Sequence, residues 1–207
     1  MIPEETITFG PPGGPALSGA LAVPPGAVRG VVVCHPHPLY GGDMDNAVVR
    51  LLAEACLTAG LATFRFDFRG VRGSGGAHDG LREQDDVHAA LDLVERRLRT
   101  VPAVAGYSFG AAMAAAVAAS GRHLAGVALV APPGGAAVPP AAPRPFLVAA
   151  GSHDHVCSPE VLQSWRAALP EGSVDILPGA DHFFSGGLAP LHATIVAWAR
   201  QVASRPE

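Results

Sequence analysis

Three residue types that can pass a proton and open a bond occur in one order along this chain of 207 residues: Ser108, then Asp154, then His182. A serine hydroxyl is a weak nucleophile at neutral pH unless an imidazole takes its proton. The imidazole in turn needs a carboxylate to fix its tautomer and steady its positive charge. Ser108 stands in Gly106-Tyr107-Ser108-Phe109-Gly110, a G-x-S-x-G pattern. Asp154 stands in Gly151-Ser152-His153-Asp154-His155, and His182 in Gly179-Ala180-Asp181-His182-Phe183-Phe184. Asp181 competes with Asp154 for the role of acid, but it is too near His182 in sequence to reach the far ring nitrogen. Cys157 reads as a small buried residue.

The flanking sequence says what must hold these groups. Residues 101–105 form a short apolar run with the character of a buried strand, and residues 111–120 are almost all alanine, closed by Gly121. Strand, sharp turn and helix is the context in which G-x-S-x-G pushes a serine out at the edge of a sheet. Further strands are predicted at residues 30–34, 61–68, 124–131, 145–150 and 174–177. Helices are predicted at residues 43–59, 81–100, 159–169 and 189–203. Residues 6–9 and 17–23 read as a hairpin around a Gly/Pro turn. Alternation from residue 31 onward predicts an α/β fold, a doubly wound and mostly parallel sheet with helices on both faces. Asp154 and His182 each follow a strand, and ligands in such sheets bind outside the carboxyl ends of the strands. The whole of residues 1–207 is expected to be one domain.

Composition removes several chemistries. All 14 basic residues are arginine, so Schiff-base, pyridoxal-phosphate, Ser-Lys and Walker A mechanisms lack their ammonium group. A net charge of −4 gives no footprint for nucleic acid. The acidic N-terminus carries no secretory pattern, and no run is long enough for a membrane span. Three scattered cysteines, Cys34, Cys56 and Cys157, suit a cytoplasmic protein with reduced thiols.

The chain resembles the α/β-hydrolases over nearly its whole length, on the strength of the G-x-S-x-G turn and the order Ser, Asp, His. The segment His35-Pro36-His37-Pro38-Leu39-Tyr40-Gly41-Gly42, with Arg65-Phe66-Asp67-Phe68-Arg69-Gly70 downstream, is similar to a narrower group of small bacterial hydrolases. These lie near the dienelactone-hydrolase and serine-aminopeptidase-like branches. The resemblance implies a serine esterase or thioesterase with Ser108, His182 and Asp154 as catalytic residues and no cofactor. It also implies an oxyanion hole with the Phe109 N–H as one donor. The second donor comes from the loop after residues 30–34, where Pro36 and Pro38 have no N–H. That leaves His37 or Leu39, and alignment with the usual His-Gly-x favours His37.

Residues 132–143 are too short for a helical cap. The site is therefore expected to be open, with Leu39, Tyr40, Phe109, Phe183 and Phe184 as apolar walls for a small-molecule acyl substrate. Arg69 and Arg72 are the arginines within reach of a substrate carboxylate, although Asp67 and Arg69 read first as ties for the glycine-rich loop and Asp85 and Asp86 as helix-start charges. His35 and His37 with Asp43 and Asp45 form a superficial metal-site pattern, but interleaved prolines and the absent HxHxDH spacing argue against a metal. Peptide or C–C bond hydrolysis, a cyclisation, or a non-catalytic binding role remain the alternative readings, and the oligomeric state is not set by the sequence.

Overall fold

The computed structural model describes residues 2–139, 143–169 and 173–205. Strands β1 (Glu4–Phe9) and β2 (Leu17–Ala22) form the expected hairpin. They are followed by β3 (Gly30–Cys34), a 3-10 turn at Pro38–Tyr40, α1 (Ala47–Thr58), β4 (Ala62–Phe66), α2 (Glu83–Leu98) and β5 (Ala103–Tyr107). Then come α3 (Phe109–Ala119), β6 (Val127–Val130), β7 (Phe146–Gly151), α4 (Pro159–Ala168), β8 (Val174–Leu177) and α5 (Leu188–Ala203). The sheet order is β1-β2-β4-β3-β5-β6-β7-β8, and every neighbour from β4 to β8 is parallel.

The five strands from β3 to β7 are buried at every residue, and all but β4, which carries buried Thr63 and Arg65, are free of polar side chains up to the closing tyrosine of β5. The chain leaves β3 toward β4 and then crosses back past β3 to β5, so right-handed crossovers place α1 and α2 on opposite faces. Helix α5 packs on α1, and α3 packs on α2. Because the strand order reverses at β3, a crevice opens between the carboxyl ends of β3 and β5, where ligands of such sheets bind.

One boundary and one side chain differ from expectation for physical reasons. Helix α1 begins at Ala47 rather than at residue 43, because short polar side chains claim the backbone first. Asp43 Oδ1 accepts the Asp45 N–H at 2.8 Å, and Asn46 caps the helix by accepting the Val48 N–H at 3.0 Å. Asp86 is in the first turn of α2, as a helix-start charge should be, but it does more. It is fully buried and grips Arg69, with Nη2 at 2.6 Å and Nε at 3.0 Å, tying the glycine-rich loop to α2.

Among the described residues of 132–143 there are turns and no helix; residues 140–142 lie outside the described residues. No helix among the described residues is long and apolar enough to cross a membrane.

Candidate active site

The turn after β5 is shaped by backbone on backbone. A Cβ at Gly106 would sit 2.3 Å from the Gly110 carbonyl oxygen, and one at Gly110 would sit 2.4 Å from that of Cys34. No side chain fits either place. Ser108 between them takes φ 53° and ψ −115°, a strained conformation for a residue with a side chain. Its N–H donates to the Val130 carbonyl at 2.9 Å, which fastens the turn to the end of β6.

Asp154 follows β7 and His182 follows β8, and both reach the serine. His182 Nε2 lies 3.1 Å from Ser108 Oγ, and Nδ1 lies 2.9 Å from Asp154 Oδ2. Asp154 Oδ1 also accepts the N–H groups of Val156 and Cys157, each at 2.8 Å. Burial alone raises the Asp154 carboxyl, but the His182 bond and these two N–H groups outweigh it and hold the carboxyl below its ordinary value. An ionised carboxylate only accepts, so the His182 proton sits on Nδ1 and the Nε2 lone pair faces the serine hydroxyl. The arrangement is able to pass a proton from Ser108 to His182.

Phe109 is the first residue of α3, so its N–H has no partner within the helix. Across the crevice, the 3-10 turn after β3 separates the two candidates for a second donor. The Leu39 N–H donates to His37 Nδ1 at 3.2 Å, whereas the His37 N–H has no acceptor among the described residues. The His37 and Phe109 rings lie 5.1 Å apart, which brings the two loops together.

The expected apolar walls divide. Leu39, Tyr40 and Phe183 are 74%, 88% and 73% exposed and stand on the rim, with the Phe183 ring 5.5 Å from that of His182. Phe184 is fully buried and is no wall. Its φ of 57° turns the chain back at that point, and its ring packs beneath the loop, 6.2 Å from Tyr107. Neither arginine is free for a substrate carboxylate, since Arg69 is bound to Asp86 and Arg72 Nη1 lies 2.7 Å from Asp45 Oδ2. A hollow of about 790 Å³ lies elsewhere, between β7, β8 and α5, with no histidine in its lining.

Sequence reasoning missed Tyr107. Its hydroxyl donates to the His182 carbonyl at 2.9 Å and pins the histidine loop to β5. Burial, followed by the charges of Asp154 and Asp181, pushes the phenol up to about 12, so it keeps its proton as a donor. The signal available was a tyrosine at a strand position that a plain apolar residue would fill.

His35 is also not part of the reacting set. It is fully buried, and its Nε2 accepts the Phe68 N–H at 3.0 Å while Nδ1 lies 2.6 Å from the Pro36 carbonyl. Both nitrogens are therefore engaged inside the protein. Among the described residues no group of three His, Cys, Asp or Glu side chains is placed to hold a metal. Burial pushes the His35 imidazole down from 6.5 to about 4, against the smaller opposing pull of the Pro36 carbonyl.

Between those two values the unfolded chain holds a proton that the folded one refuses, so stability is full above them and falls as pH drops through the window. This one group is expected to remove about 2 kcal/mol of stability between pH 7 and 5. His35→Gln places a non-titrating acceptor near the Nε2 position. Urea unfolding of that variant should change by about 2 kcal/mol less over the same pH interval. An unchanged pH slope would count against the assignment.

No protein-family model matches the chain. An α/β serine hydrolase homologue from Coxiella burnetii is 35% identical, superposes with a TM-score of 0.84, and matches over 93% of this chain and 96% of its own. The chain belongs to the α/β-hydrolase superfamily. A serine hydrolase without a lid from Xanthomonas campestris is 29% identical to this hydrolase, with a TM-score of 0.86 over 99% of the hydrolase and 97% of that chain. An uncharacterized protein of Rickettsia prowazekii is 30% identical over 168 residues, 74% of the hydrolase and 71% of that protein.

Proposed function

We propose that this hydrolase is a serine esterase that cleaves an ester or thioester of a small-molecule acyl compound through an acyl-enzyme. The observation that carries the reading is the continuous run from Asp154 through His182 to Ser108, with contacts of 2.9 and 3.1 Å. His182 Nε2 takes the hydroxyl proton as Ser108 Oγ attacks the acyl carbon. Asp154 steadies the imidazolium that results. The carbonyl oxygen gathers negative charge between the N–H groups of Phe109 and His37, each contributing about 3 kcal/mol toward the transition state. His182 then returns the proton to the departing alcohol or thiol. Water enters, His182 deprotonates it, and attack on the acyl carbon releases the acid and restores the serine.

Exposed Leu39, Tyr40 and Phe183 favour a substrate with apolar flanks. The open rim favours an extended molecule over one that must be enclosed. We read the chain as one catalytic domain. The three buried free cysteines favour a reducing, cytoplasmic setting for it.

A fluorophosphonate probe followed by peptide mapping tests the reading. Label is expected on Ser108, with p-nitrophenyl esters and thioesters turned over faster than the matching anilides. Absence of label, or label on another serine, overturns it.

A further inference from the structure

The loop between β4 and α2 brings a second histidine–carboxylate pair to the same rim. His78 Nδ1 lies 2.7 Å from Glu83 Oε1, which also accepts the Asp79 N–H at 3.0 Å. Glu83 is fully buried, and its other oxygen has no partner among the described residues. A carboxylate with an unanswered buried oxygen costs stability, so a core built for stability alone would not choose it. What Glu83 gains is a fixed direction for the His78 ring.

That ring lies 4.9 Å from the ring of His37 and 5.4 Å from that of Phe109. With His37 and Phe109 5.1 Å apart, the three rings close a triangle. Two of its corners are the residues whose backbone N–H groups serve as oxyanion donors in the proposed mechanism. His37 sits on a loop whose own hydrogen bonds are local, to Leu39, Tyr40 and Gly42. Gly110 of α3 fixes the loop's base at the Cys34 and His35 carbonyls, but nothing in those bonds sets the position of His37 two residues further on. His78 bears on it, because its ring touches both sides and is itself tied to α2 through Glu83.

We infer that His78, clamped by Glu83, is a positioning residue that sets the spacing of the oxyanion donors His37 and Phe109. The inference rests on the esterase reading of Ser108. A displacement of about 1 Å in such a donor costs about a hundredfold in rate, so a ring that holds the gap has a measurable effect without touching substrate.

The decisive variant is His78→Asn. Its amide nitrogen can still donate to Glu83, but it has no ring to fill the triangle. Turnover of p-nitrophenyl acetate is expected to fall about 10- to 100-fold in kcat with KM changed less than about threefold, because the donors act on the transition state. Affinity for a trifluoromethyl ketone, which forms a tetrahedral adduct on Ser108, should fall by the same factor as kcat/KM, while the melting temperature stays near wild type. His78→Gln carries the same expectations if the asparagine variant does not fold. Wild-type kcat in a folded variant overturns the inference, as does a loss of rate fully matched by loss of folded protein. Failure of the wild type itself to take a fluorophosphonate label or turn over esters would instead be a failure of the esterase reading.

Discussion

Ser108→Ala is expected to lower kcat for p-nitrophenyl acetate by about 10⁴- to 10⁶-fold while leaving the fold unchanged. The size follows from what the hydroxyl does. Without it there is no acyl-enzyme, and water must attack directly across a site built for an attached oxygen. A residual rate above the uncatalysed reaction should persist if the N–H groups of His37 and Phe109 are the proposed oxyanion donors, since the variant keeps both. The fold survives because Oγ makes its one described hydrogen bond to His182 Nε2. The strain at φ 53° is a property of the backbone that alanine shares. Steady-state kinetics with a thermal melt on the same sample measure both halves. A variant with kcat within about tenfold of wild type would remove Ser108 from the mechanism.

Asp154→Asn should cost about 10⁴-fold in kcat, by a route the hydrogen bonds dictate. Oδ1 must go on accepting the N–H groups of Val156 and Cys157, so the new amide nitrogen takes the place of Oδ2, facing His182 Nδ1. Two donors cannot share that contact, and Oδ1, 3.1 Å from Nδ1, is already taken up by two backbone N–H groups. The imidazole proton moves to Nε2, where it points at Ser108 and leaves no lone pair to accept the hydroxyl proton. Loop geometry is retained, so KM and melting temperature should move little. Kinetics on short esters decide it, and an asparagine variant within about tenfold of wild type would sink the proposed role.

The layers of the fold were legible because most of the strands buried on both faces are apolar runs, β4 with Thr63 and Arg65 being the exception. Val31-Val32-Val33 and Val127-Ala128-Leu129-Val130 leave little other choice. Ser108, Asp154 and His182 were legible as candidates because each lies in the turn or loop that follows a strand, where the sheet presents its loops.

Three things were not. Phe183 and Phe184 are neighbours of the same type, yet one is 73% exposed and the other fully buried; the left-handed turn at Phe184 that separates them leaves no mark in composition. Glu83 and Asp86 look like ordinary first-turn acids of α2, and only their partners His78 and Arg69, both from the preceding loop, draw them into the interior. The bond from the Leu39 N–H to the His37 ring bears on the choice of second donor, for which the His-Gly-x alignment already favoured His37, and it was invisible to proline counting.

The contact of Gly110 with the Cys34 and His35 carbonyls has a bearing on any attempt to re-engineer this protein. Main chain meets main chain there, so the hinge-like freedom that laboratory evolution exploits in many loops is missing along that seam. Libraries aimed at new selectivity should leave it untouched. Diversity belongs at Leu39, Tyr40 and Phe183, whose outward side chains can be exchanged without shifting the framework beneath.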